Sequence, residues 1–392
     1  MSRMSIEELL QRYAEIADSE RNQKNRQYWE NSGEPYLVER WRGRSLRKEN
    51  TPYTIAFDIS GYSPILGIEC DQYYSDAEAN LRDQLRYGIW EYENLDCHRY
   101  FEKAVFCSMA SVFEASFFSS KVHYLPNQAP WFDEKEPVFS EKSDLLKIKP
   151  FDFSKTGLVP KVTEMYEHHK KLAEPFGIKA MFPVTMRGPF SVALMLRGFE
   201  NILIDILEDE EFFADLMELV TGYLIDYSQA RAKYLGENEP AAMLMNDEIS
   251  GKVISEAIYR EKIFPYEERI ARHYGGVRYW HSCGESHNFY KTIAGLPDLK
   301  MMHIGPWSDI KSAVDVFGTK DIAIEICLNS NRDMYDKTEE QMIKQLEDIK
   351  KICDGKIRYS VRLDGIAILS TEEQCRTKVA EWTKAAKRVF PG

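Results

Sequence analysis

The chain has 392 residues, 44% of them hydrophobic and 29% charged, with a formal net charge of −12. That composition supports a large core and excludes a disordered chain; with no block of Lys and Arg, it also excludes a basic nucleic-acid-binding stripe. No apolar run approaches the ~20 residues that span a bilayer, and MSRMSIEELLQRY lacks the apolar core of a signal peptide. The seven cysteines are odd in number and scattered, which argues against a disulfide framework and for a reducing, cytoplasmic setting.

Residues 1–50 read as an N-terminal helical extension, first SIEELLQRYAEIADSERNQKNRQYWE and then the Arg-rich LVERWRGRSLRKE. From residue 51 to 392, short β-type runs alternate with amphipathic helical patterns. The predicted strands are 53–60, 104–109, 178–186, 241–247, 276–283, 300–306, 321–328 and 357–364. Residues 111–175 read as a loop-rich excursion over the barrel mouth, and 199–235 as two consecutive helices. Eight strands separated by helices predict an α/β (β/α)8 TIM barrel. An open doubly wound sheet is disfavoured because no Gly-x-Gly-x-x-Gly follows any strand.

In such a barrel the reactive groups lie where strands end. Those ends supply Asp58, Asp247, Glu248, His281, Cys283, His303, Asn329 and Asp364. His281-Ser282-Cys283 is the sharpest signal. Residues i and i+2 of a strand point the same way, so an imidazole and a thiolate can share a Zn2+. A buried Cys beside a satisfied His is the competing reading. Asp247-Glu248, after an apolar strand, suits a metal or general acid/base chemistry, or else a helix N-terminal acid pair. Asp364 interrupts an apolar run, yet Asp364-Gly365 is also a common turn signal. His303 is a candidate substrate contact or a core histidine, and His168-His169 reads as a solvated helix face. Trp131, Phe132, Tyr279, Trp280 and Trp307 would suit an aromatic or cationic substrate, or plain packing.

The stretch from Arg278 through RYWHSCGESHNF to EICLNSNRDM resembles the uroporphyrinogen decarboxylase superfamily, in its corrinoid-dependent methyltransferase branch. RGPFSVALMLRGF resembles that superfamily's Gly-Pro-Phe segment, and NDEISGKVISEAIYREKIFPY its paired acids followed by a Pro-Tyr helix. The resemblance runs from about residue 140 to the C-terminus. It implies zinc held by His281 and Cys283, with Asp364 and Glu248 (or Asp247) completing the set, and Glu248, Asp247 and His303 in catalytic roles. It also implies a cobamide carried by a partner corrinoid protein, a small methylated substrate, and a homodimer as one possible assembly. Two departures matter. The Arg-rich string that grips propionates in the decarboxylases is missing, which disfavours tetrapyrrole decarboxylation. Asp364 stands where the coenzyme M enzymes of the branch carry a Cys before Gly-Ile. Carboxylate in place of thiolate makes a harder zinc, better matched to polarising oxygen. The expected reaction is therefore demethylation of an O-methyl compound. A thiol-directed enzyme of the coenzyme M type, with Cys327 completing the site, is the alternative; a non-catalytic or decarboxylase-like relative is another.

Overall fold

The structure, a computed structural model, describes residues 4–32, 51–132, 136–183, 185–237, 242–320 and 322–391. Eleven strands follow in chain order: β1 (Tyr53–Phe57), β2 (Ala104–Phe106), β3 (Val122–Leu125), β4 (Gln128–Phe132), β5 (Lys179–Met181), β6 (Thr185–Arg187), β7 (Ala242–Met245), β8 (Val277–His281), β9 (Met301–Ile304), β10 (Ala323–Asn329) and β11 (Tyr359–Ile366). One parallel ladder runs β1-β11-β10-β9-β8-β7-β6, and a second joins β2 to β5. β5 and β6 are two halves of the single strand predicted at 178–186. Between them lies Pro183, which has no N–H to give a ladder. The first half turns to β2 and the second to β7. All eight predicted strands are present, and the architecture is the (β/α)8 barrel.

Inside the barrel, side chains alternate along each strand. Met243, Tyr279, Met301 and Ala323, with Met245 packed on them, form an apolar layer. Two residues further along the strands come His281, His303 and Glu325, so this layer is the floor on which the polar mouth stands. The outward-facing Trp280 is fully buried against the helical layer. Its Nε1 donates to Glu267 Oε2 at 2.9 Å, and Tyr259 donates to the same oxygen at 2.7 Å. Burial outweighs both bonds and pushes the Glu267 carboxyl up to about 7. A carboxyl raised in the folded state stabilises at low pH and loses that contribution as pH rises from ~4.3 towards the folded value. Glu267→Gln keeps the acceptor and cannot ionise. Relative to wild type, its urea midpoint should rise between pH 5 and pH 8, by at most ~3 kcal/mol in unfolding free energy. Equal differences at both pH values would contradict this.

The N-terminal helix Ile6–Asp18 begins with a reciprocal cap between Ser5 and Glu8. It buries Leu9, Leu10, Tyr13 and Ile16 against Leu81, Leu85, Ile89 and Phe101. A second helix follows at Glu20–Ser32; the Arg-rich stretch 37–49 lies outside the described residues. The excursion is more ordered than its composition suggests. It contains the antiparallel hairpin β3–β4 and the helix Val159–Ala173. The hairpin strands are too short and mixed in polarity for alternation to show. His169 is buried, not solvated: Nδ1 lies 3.4 Å from Cys107 Sγ, and Nε2 lies 3.1 Å from the Ala77 carbonyl. The two-helix reading of 199–235 holds, with Asp209 capping the second helix through Phe212 N. No helix among the described residues is long and apolar enough to cross a membrane. The seven cysteines are free thiols.

Candidate metal centre

The parallel pairing of β7 and β8 sets Met245 beside His281. The chain leaving β7 therefore carries Asp247 over the end of β8. His281 Nε2 lies 3.0 Å from Asp247 Oδ1 and 3.1 Å from Cys283 Sγ. The Cys283 amide donates to the same Asp247 oxygen at 3.4 Å. The nitrogen, sulfur and oxygen donors of His281, Cys283 and Asp247 all lie within 4.8 Å of one another. Ser282, between the two ligand-type residues, is buried. It donates to the Ile249 carbonyl at 2.8 Å and accepts from Gly284 N at 3.0 Å, which pins the tripeptide.

The charges in this group are arranged for a cation. Burial works to raise the Asp247 carboxyl, but the His281 bond and the charges of His281 and Arg187 win and hold it well below the usual carboxylate range. Desolvation, with the adjacent Asp247 carboxylate, pushes the Cys283 thiol far above its ordinary value. Thiolate and carboxylate cannot both be ionised at such short range without a positive charge between them. A bound divalent ion would remove that conflict and take the thiol proton's place. The donor set therefore fits zinc, which takes His, Cys and carboxylate ligands.

Arg187 ends β6 and is buried. Its Nη1 meets Asp247 Oδ2 at 3.0 Å and both Glu248 oxygens at 3.0 and 3.1 Å. Glu248 is thus taken up by Arg187 and stays outside the close donor group; Asp247 occupies the place assigned to either acid. The Gly188-Pro189 dipeptide makes this turn possible. A Cβ on Gly188 would sit 1.7 Å from Asn246 Oδ1, while Pro189 opens the helix Pro189–Arg197 from its first position.

Asp364 also stands outside the close group. Arg362 Nη2 holds Asp364 Oδ1 at 2.8 Å. Asp364-Gly365 is not a surface turn: it lies inside β11, where the pairing with β1 shifts register and Gly365 takes φ +65°. Asp364 faces the same mouth, adding to the electrostatic load on Cys283 and on Asp58, whose carboxyl is raised first by burial and then by Asp364. Asn329 pairs with Asp364 in register and caps the next turn through Arg332 N. His303 is buried and packs against His281, the rings tilted by 34° with centroids 4.0 Å apart.

Several residues of the site escaped the sequence reading. Arg187 follows Met186 at a strand end, a place where a charge is itself a signal. Glu114 sits among aromatic residues in SVFEASFF and is buried. Burial pushes its carboxyl up to about 7 against the opposing pull of Arg187. Glu114 and Arg187, with Phe113, Phe182, Met186 and Met245, line a cavity of about 350 Å3 that reaches Asp247. Of the five aromatics singled out from sequence, none lines that cavity. Tyr279 is in the floor, Trp280 faces outward, Trp131 and Phe132 stack on each other, and Trp307 is half exposed beneath Arg332.

A parallel (β/α)8 barrel with a mixed N, S, O donor group at the carboxyl ends of its strands is the class these observations define. The chain belongs to the uroporphyrinogen decarboxylase (URO-D) family, whose model matches residues 95–363. A methylated-thiol–coenzyme M methyltransferase of Methanosarcina mazei is 21% identical over 235 residues, 59% of this chain. That match spans 61% of the relative's length. A solved methyltransferase from Methanosarcina mazei superposes with a TM-score of 0.63 at 16% identity, covering 92% of this chain and 97% of that one. Such a likeness attests the fold.

Proposed function

We propose that this chain is a zinc-dependent methyltransferase that moves a methyl group from an O-methylated small molecule to the Co(I) of a corrinoid carried by a separate protein. The observation that carries this reading is the His281–Cys283–Asp247 donor group, whose Asp247 also lines the cavity bounded by Phe113, Phe182, Met186 and Glu114. The two methyltransferases among the similar proteins support the reaction type. In the balance, the O–CH3 bond breaks, the Co–CH3 bond forms with the electron pair of Co(I), and the released oxygen takes one proton. His281, Cys283 and Asp247 would hold the zinc, which would supply Lewis acidity towards the oxygen that loses the methyl group. With one thiolate balanced by a carboxylate, the donor set is harder than a two-thiolate site and favours oxygen.

The remaining work falls to the chain's own groups. Arg187 keeps Asp247 ionised and turned towards His281. Phe113, Phe182 and Met186 exclude water from the cavity and orient the donor. Glu114, poised at about 7, donates the proton that the released oxygen takes. Glu114→Gln should lower kcat by ~100-fold and abolish the fall in rate as pH rises above 7. An unchanged pH profile would remove Glu114 from this role.

The ligand assignment has its own test. Asp247→Asn should weaken zinc binding by at least ~10-fold, while Asp364→Asn, in a carboxylate held by Arg362, should leave zinc content near wild type. The reverse result would make Asp364 the oxygen donor.

A thiol substrate is the second reading, favoured by the name of the curated relative. The two are separated by supplying a reduced corrinoid protein with methoxylated and methylthio compounds and following the absorbance change from Co(I) to methylated cobalt. Turnover of a methyl ether is the expected result. Turnover confined to methylthio compounds, or methylation of a free thiol by the methylated corrinoid with no methyl ether turned over, would overturn the oxygen assignment.

A further inference from the structure

We infer that the barrel lumen holds a second metal position, formed by His303, Glu325 and Cys327 beside the first and suited to a zinc-class divalent cation. The inference rests on the lumen alone and does not require methyl transfer. β9 and β10 pair in parallel with His303 opposite Glu325. Glu325 and Cys327 are two apart on β10 and share its inward face. The imidazole, carboxylate and thiol donors of the three residues lie within 4.8 Å of one another. Their exposures are 1%, 3% and 2%, so solvent does not satisfy them.

The tautomer of His303 is decided by its neighbour. Nδ1 lies 2.8 Å from the Ser282 carbonyl oxygen, which can only accept. Nδ1 therefore carries the hydrogen, and Nε2 presents a bare lone pair. That nitrogen is buried and has no hydrogen-bond partner. An imidazole whose far nitrogen donates to a backbone carbonyl is oriented as metal-binding histidines are. The Tyr279 hydroxyl donates to Glu325 Oε2 at 2.5 Å and fixes the carboxylate in the same way. Cys327 has only a 3.9 Å contact to that oxygen, too long to satisfy the thiol.

A self-contained buried polar network would account for Tyr279 and Glu325, but it leaves His303 Nε2 without a partner and Cys327 weakly bonded. Arg362 stands 3.9 Å from Glu325 and is bound more closely, at 2.8 Å, by Asp364. Once Cys283 and Cys327 ionise on binding, they and Asp247, Glu248, Glu325 and Asp364 exceed Arg187 and Arg362 by the charge of two divalent cations. One thiol, one imidazole and one carboxylate repeat the donor types of the first group, and the packed His281 and His303 rings join the two. Binding displaces the Cys327 proton.

The test uses the full chain, stripped by chelation and titrated with Co2+ and then with Zn2+. Metal content and the thiolate-to-cobalt charge-transfer absorption are the readouts. Wild type should take up about two equivalents per chain, each with one thiolate. Cys327→Ser and His303→Gln should each remove about half of the bound metal, and Cys327→Ser about half of the band. Cys283→Ser should remove the other half. A wild type that saturates at one equivalent overturns the inference and needs no variant, so misfolding cannot obscure the answer. A folded Cys327→Ser protein with unchanged uptake also overturns it, as does one that binds no metal, because a single shared ion would then explain both groups. A count of one leaves the first group and the methyl-transfer proposal standing.

Discussion

His281→Ala and Cys283→Ala should each strip the first zinc and lower methyl transfer by at least ~100-fold, since loss of an outer partner alone costs 10–100-fold and a ligand cannot cost less. The two side chains do unequal structural work. His281 is 8% exposed, packs against His303 and contacts Asp247, so its loss opens a cavity in the lumen and frees a carboxylate. Cys283 stands at the rim. Its removal should cost little stability and report the ligand role cleanly. Circular dichroism and the urea midpoint should stay near wild type for Cys283→Ala while zinc content and rate fall together. Zinc content and rate near wild type in both variants would refute the assignment.

Arg187→Met should be the most damaging single change away from the donor atoms. One buried guanidinium nitrogen serves three oxygens of two acids. Breaking a buried pair by removing one partner costs ~3–5 kcal/mol, because the other charge is left uncompensated. Here two carboxylates are left. Glu248, already raised by burial against the pull of Arg187, should be raised further. Asp247 loses one of the charges that hold its carboxyl low. A depressed carboxyl stabilises the fold above its unfolded pKa and loses that contribution as pH falls through the folded value. The variant's acid limb should therefore move to higher pH in both stability and zinc binding. Arg187→Lys, which keeps the charge on a differently shaped side chain, should restore the acid limb in part. An Arg187→Met protein with wild-type stability and an unmoved acid limb would show that the acids do not depend on this pair.

The fold was legible because the strands are short apolar runs and the helices between them have clear 3.6-residue periodicity. What escaped depended on contacts distant in sequence. Pro183 was visible, yet that its strand divides between β2 and β7 follows from which neighbour each half can reach. Asp364-Gly365 has the composition of a turn, and only the register of β11 against β1 makes it a bulge within a strand. Asp247 and Glu248 are adjacent acids, equivalent on paper. Arg187, 60 positions earlier, takes Glu248 fully and leaves one oxygen of Asp247 for His281. His281 and Cys283 needed no such help, because alternation along one strand already puts both on one face. Glu114 lay within an excursion read as loop, where no periodicity announces that a carboxyl is buried.

Zinc-dependent O-demethylation is tested most directly by single-turnover transfer to a reduced corrinoid protein, comparing zinc-loaded and chelator-stripped protein with the same methyl ether. The loaded protein should convert Co(I) to methylated cobalt in one phase. The stripped protein should be silent and recover on adding zinc. Transfer at the same rate without zinc, or none from any methyl ether by fully loaded protein that still methylates a thiol from the methylated corrinoid, would contradict it.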